Sequence, residues 1–347
     1  MKKILAVLSL LVVCMAMLTA CGSKEEENKT WKACLITSTP RGNEFTDLIW
    51  SGLEDLEEEG WEVKCIETQE TGEITEQVRA MVDEDYDIIY TQGDDVMTEC
   101  KNLMDEVRET HPDTWFVFLD TYEKTDYENT CAVTIDPFEA CFIAGYVAAN
   151  TTETGAIGLM LPMDSAIMDR FEYGYYAGVD YANANCGTNA TVYMAKTNTW
   201  TDTTLGYEAT KQLVSTHKDI DVCIQAAYIS GYGVIQACSD LEIKCIGVDD
   251  WQGDIDPCVF WSAVKSMNIA VYQSAHSIMD GEDIGRAKEY NLADGGAAYA
   301  DVDLDNLKDG LADAVVQLKD DIISGKVDVF ANGYEDWRET NFDQEGE

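Results

Sequence analysis

Lys32-Ala33-Cys34-Leu35-Ile36-Thr37-Ser38 is an apolar run of strand length, and after a short loop Phe45, Leu48, Ile49, Leu53 and Leu56 recur at helical spacing. The run has no alternating polar positions, which points to a strand buried on both faces. Strand followed by helix is the unit, and it recurs. Glu62 to Glu67 precedes the helical pattern Ile74 to Val82, and Asp87 to Thr91 precedes Val96 to Val107. Trp115 to Asp120 and Thr130 to Ile135 follow, and Pro137 suits the first turn of a helix with Phe138, Cys141, Phe142, Gly145 and Tyr146 on its apolar side. A second series begins at Gly155. Its strands read as Ala156 to Leu161, Val192 to Ala195, Val222 to Ala226 and Lys244 to Val248, with helices near Ile167 to Ala184, Leu205 to Thr216 and Val234 to Leu241. Such alternation predicts an α/β fold of parallel sheets covered by helices, here in two similar Rossmann-like lobes.

The ends of the 347-residue chain read differently. Lys2 and Lys3 open a basic start, Ile4 to Leu18 is almost wholly apolar, and Leu18-Thr19-Ala20-Cys21 follows. The run has the length of a signal segment rather than of a spanning helix. It resembles a bacterial lipoprotein signal, which implies cleavage after residue 20 and lipidation of Cys21. Residues 21–30 form an acidic linker, and residues 336–347 an acidic tail.

The chain carries 66 acidic and 23 basic residues, a net charge of −43. A surface this acidic repels phosphate backbones and anionic headgroups, so no nucleic-acid partner is expected. A hydrophobic share of 46% is enough for buried cores. Of twelve cysteines, Cys14 lies in the signal and Cys21 at its end; most others sit in apolar runs such as Val222-Cys223-Ile224, where a thiol packs as a small hydrophobe. No C-x-x-C pair occurs and His111, His217 and His276 are scattered, so no metal site is expected.

In open α/β sheets ligands lie beyond the carboxyl ends of strands. That selects Asn43 to Asp47, Gly93-Asp94, Asp120, Asp136, Met163-Asp164, Trp200, Gln225 to Gly233 and Asp249. Gly231-Tyr232-Gly233 begins a dinucleotide fingerprint but position 236 is Gln236, so no nicotinamide cofactor is expected. Asp249 and Asp250 are adjacent, and neighbours on a strand point to opposite faces, which disfavours a catalytic carboxylate pair. No G-x-S-x-G elbow is present. No enzymatic centre is expected.

These positions resemble those of the basic membrane protein family, substrate-binding lipoproteins of ABC transporters that act as purine-nucleoside receptors. The resemblance spans Lys32 to Val327 and is carried by Arg170-Phe171-Glu172-Tyr173-Gly174-Tyr175-Tyr176-Ala177-Gly178-Val179, Gln225-Ala226-Ala227 with Gly231-Tyr232-Gly233-Val234-Ile235, Ile246-Gly247-Val248-Asp249, and Ser262-Ala263-Val264-Lys265. It implies a type I periplasmic-binding-protein fold, two lobes joined by a hinge, with residues 31–150 and about 262–288 in lobe 1 and residues 151–261 and about 289–335 in lobe 2. It also implies that Phe45 and Trp200 sandwich a base, Asp249 and Lys265 hold the ribose hydroxyls, Asp120 lies on the sugar side, and Gly231 lets backbone approach the ligand. Where the family reads Lys-Ser-Phe-Asn this chain has Asn43-Glu44-Phe45-Thr46, so Thr46 replaces the amide that meets the base edge.

The function implied is a lipid-anchored, extracytoplasmic nucleoside receptor, a monomer that delivers its ligand to a permease and its ATPase. The alternative is a lipid-anchored sensor or receptor for another small polar ligand. A nucleoside hydrolase is disfavoured because Ser38 to Gly42 holds no Asp for calcium, and a repressor because no basic DNA-binding head precedes the lobes.

Overall fold

The computed structural model describes residues 29–334 apart from 69, 297 and 332. The signal segment, Cys21 and the tail 336–347 lie outside the described residues. The chain begins β1 (Lys32–Thr37), α1 (Glu44–Glu58), β2 (Glu62–Glu67), α2 (Thr71–Asp83), β3 (Ile88–Gln92), α3 (Asp94–Thr110). Then β4 (Trp115–Leu119) and β5 (Thr130–Ile135) pair in parallel with a loop between them. Asn43 caps α1, its side chain accepting the Thr46 N–H at 3.0 Å, and Glu44 and Asp47 complement the helix dipole in the first turn. The helix buries Phe45, Ile49, Trp50, Leu53 and Leu56 against the sheet.

At Asp136 the chain leaves this lobe. Asp136 Oδ1 accepts the Phe138 N–H at 3.0 Å and so caps α4 (Phe138–Thr151). The sequence division places this helix in lobe 1. Packing places it in the second core, where Phe138, Phe142, Ile143 and Val147 cluster with Ile157, Phe171, Tyr175 and Trp261. Residues on every side of α4 are buried, so no face is left for solvent.

The second lobe is β6 (Ala156–Leu161), α5 (Ala166–Cys186), β7 (Thr191–Lys196), α6 (Thr203–Thr216), β8 (Ile220–Gln225), α7 (Gly231–Asp240), β9 (Lys244–Asp249) and β10 (Val259–Val264). Its sheet order is β10-β9-β8-β6-β7, all parallel. Thus β10, which the sequence division splits at residue 262, belongs entirely to the second sheet. Helices α4 and α5 approach so closely that a Cβ at Gly178 would lie 1.9 Å from the Phe142 carbonyl oxygen, and one at Gly145 2.3 Å from that of Tyr175.

After β10 the chain returns. Helix α8 (Met267–Met279) packs Met267, Ala270, Val271 and Ala275 into the core formed by α1 and the first sheet. Strand β11 (Ala287–Tyr290) joins β5, completing the order β11-β5-β4-β3-β1-β2. A last crossing leads to α9 (Asp301–Asp305) and α10 (Leu311–Ile323), whose Leu311, Val315, Leu318 and Ile322 cover the second core. Gly310, at φ 80° and so outside the helical region, separates the two helices. The ten described cysteines are free thiols, seven of them buried.

Candidate ligand-binding cleft

The parallel strands of each sheet end at one edge, and the connections leaving those edges carry most of the residues read from the sequence. Asn43 to Phe45 follow β1, Asp120 follows β4, Trp200 follows β7, Tyr228 and Gly231 follow β8, Asp249 ends β9 and Lys265 follows β10. Six described non-glycine residues have positive φ, and four of them, Asp120, Asn198, Tyr228 and Asp249, stand at these strand ends. Backbone held in that region gathers at functional sites because the surrounding structure must enforce it.

The polar centre is built at a crossing between lobes. Lys265 is 2% exposed, and its Nζ is ion-paired with Asp120 Oδ1 of the first lobe. Its backbone N–H donates to the Asp249 carbonyl at 2.8 Å, which holds the two side chains on neighbouring strand ends. Burial pushes the Asp249 carboxyl up to about 7; Lys265 opposes that shift, and Asp120 and Glu44 add to it. Two carboxyl groups and one ammonium thus share one partly accessible site. Such a set can accept from vicinal hydroxyls and donate to their lone pairs.

Aromatic rings flank it. The Lys265 Nζ lies 5.7 Å from the Phe45 ring centroid and 5.5 Å from that of Phe171. Phe45 and Trp200 are linked through Tyr228, whose ring centroid is 6.2 Å from Phe45 and 6.4 Å from Trp200, edge-on to both. The Trp200 carbonyl accepts the Ser230 N–H at 2.9 Å, tying its loop to the turn that carries Tyr228.

Three expected ligand contacts are engaged within the protein. Thr46 is fully buried, and its hydroxyl accepts from Gln92 Nε2 at 2.9 Å and Asn43 Nδ2 at 3.0 Å. Asn43 also donates to the Pro40 carbonyl at 2.7 Å, so its amide serves the α1 cap. At Gly231 a Cβ would fall 2.0 Å from Gln225 Oε1; this glycine makes room for a buried side chain. Of the other positions selected, Asp136 caps α4, and Asp164 is ion-paired with Lys196.

Sequence reading missed four contributors. Tyr228 lies in the span Gln225 to Gly233 after β8, where nothing local marks it among its neighbours. Phe171 lies within α5, away from the strand ends, and reaches Lys265 only through the fold. Glu44 and Tyr232 meet across the cleft, and only the fold juxtaposes them. An opening of about 300 Å³ beside them is walled by Asn43, Glu44, Asp47 and Asp250. Among the described residues no group of three or more His, Cys, Asp or Glu could hold a metal ion, and no helix is long and apolar enough to cross a membrane.

With this geometry the family of "ABC transporter substrate-binding protein PnrA-like" sequences, Bmp, matches residues 30–332. The chain belongs to the Bmp family. Among Bmp relatives, the "ABC transporter nucleoside-binding protein BmpA" of Lactococcus lactis subsp. cremoris is 25% identical over 94% of this chain and 99% of its own. Among solved structures, an ABC transporter solute-binding protein from Aeropyrum pernix K1 superposes with a TM-score of 0.69 at 21% identity, covering 91% of this chain and 97% of that one. One from Conexibacter woesei gives 0.66 at 19%, covering 86% and 98%. These structures establish the shared two-lobe α/β fold of periplasmic-binding-protein type, and Bmp membership establishes an ABC substrate-binding role.

Proposed function

We propose that this Bmp chain captures a nucleoside in the cleft between its lobes, on the extracytoplasmic face of the membrane, and presents it to the permease and ATPase of an importer. Cys21 anchors it through lipid. It carries out no covalent chemistry. The observation that carries the reading is the Asp120, Lys265 and Asp249 set beside the Phe45 ring, with residues drawn from both lobes. Asp249 and Asp120 accept the ribose hydroxyls, Lys265 donates to their oxygens, and the aromatic side chains take the flat base, a contact worth roughly 1–3 kcal/mol. A ligand bonded to both lobes favours the closed arrangement by its differential affinity for it. The printed name of the Lactococcus relative supports the ligand class.

The test is a tryptophan-fluorescence titration of the chain lacking residues 1–23 with guanosine, inosine, adenosine, cytidine and ribose. A saturable change with a nucleoside, lost in Asp249→Ala, supports the reading. No response to any nucleoside removes it.

A further inference from the structure

Tyr228 belongs to the second lobe yet packs on the first. Its backbone adopts φ 52°, a left-handed conformation uncommon for a bulky side chain. The ring lies edge-on to Phe45 of the first lobe and to Trp200 of its own lobe, at interplanar angles of 87° and 74°. Its phenol lies near Thr39 and Thr46 of the first lobe and feels the charges of Asp249 and Asp120 as well. The phenol therefore spans the cleft next to the two rings expected to hold a base, and edge-to-face contact is how one aromatic group accommodates another. Its two ring contacts are with the aromatic side chains that flank the cleft.

We propose that Tyr228 is the specificity-determining residue of the cleft, an internal occupant whose ring competes with the flat base of a ligand and spares the sugar. The proposal rests on the nucleoside reading above. Under it, a base gains its stacking surface only as the phenol gives way, so bases are penalised relative to the bare sugar.

Calorimetric titration of the wild type, Tyr228→Gly and Tyr228→Phe with guanosine and with ribose tests this. Glycine accepts φ 52° without strain, and ribose binding reports that the variants are folded. Tyr228→Gly is expected to raise the ratio of guanosine to ribose affinity at least tenfold, and Tyr228→Phe, which keeps the ring, to recover only a minor part of that gain. An unchanged or lowered ratio in Tyr228→Gly overturns the proposal, because the phenol is then a neutral wall or a stacking partner. A gain in Tyr228→Phe equal to that in Tyr228→Gly overturns it as well, by placing the effect in the hydroxyl. If none of the three proteins binds either ligand, the nucleoside reading falls and takes the proposal with it.

Discussion

The carboxylate of Glu44, at the start of α1 in the first lobe, accepts a hydrogen bond from the hydroxyl of Tyr232, in the first turn of α7 in the second. The contact exists only while the lobes are together. Tyr232→Phe removes it and is expected to speed ligand release on the order of tenfold with little change in the association rate. That follows from roughly 1.5–3 kcal/mol for a hydrogen bond to a charged group, partly offset by hydration of the freed carboxylate. Stopped-flow fluorescence separates the two rates.

Asp249 sets a pH dependence. A carboxylate that accepts ligand hydroxyls must be ionised, and burial has pushed this one up to about 7. Affinity is therefore expected to rise between pH 6 and 8 and level off above. Asp249→Asn should bind weakly with a flat profile. Titrations at four pH values decide it.

Stability runs the other way. The folded protein holds the protons of Asp249 and Asp303, both pushed up to about 7 by burial, to higher pH than an unfolded chain whose Asp titrates near 3.9. Their contribution is complete below about pH 4 and lost as pH rises through 7. Asp303 accepts from the backbone N–H groups of Ser262 and Ala300, and Asp303→Asn should flatten part of the fall in Tm between pH 5 and 8.

Lys265→Met leaves Asp120 and Asp249 facing each other without a cation. Breaking a buried pair in this way costs about 3–5 kcal/mol, and the low end is expected here because Asp120 is partly exposed. Urea unfolding measures it, and Asp120→Asn in the same background should recover part of the loss.

The α4–α5 seam has no room for a methyl group. Gly178→Ala is expected to destabilise by about 1–3 kcal/mol or more, since the obstacle is the backbone carbonyl of Phe142, 1.9 Å from the new Cβ. Gly187→Ala, at the C-terminal end of α5 where the backbone is left-handed and the space around it open, should cost about 1–2 kcal/mol. The contrast separates packing from backbone conformation.

The lobes were legible because buried parallel strands are continuous apolar runs and helices between them carry a 3.6-residue period. Helix α4 is set in lobe 1 by the sequence division and in the second core by packing: beyond the apolar side of Phe138, Cys141, Phe142, Gly145 and Tyr146 its other faces are buried as well, so no single face says which sheet it covers. That Asp249, Lys265 and Asp120 come together is legible from their places at strand ends. Asn43 and Thr46 stand in the loop that the resemblance assigns to the ligand, but their hydrogen-bond partners, Pro40 and Gln92, come from loop geometry and from another strand. Tyr228 and the Glu44–Tyr232 contact depend on how the lobes face each other, which no local pattern encodes.

The most direct measurement is a crystal structure of the chain grown with a nucleoside at saturating concentration. The account expects ribose hydroxyls within hydrogen-bonding distance of the Asp249 carboxylate and Lys265 Nζ, with the base against Phe45. A nucleoside bound elsewhere, or a cleft closed on Asp120, Lys265 and Asp249 with no ligand between them, would contradict it.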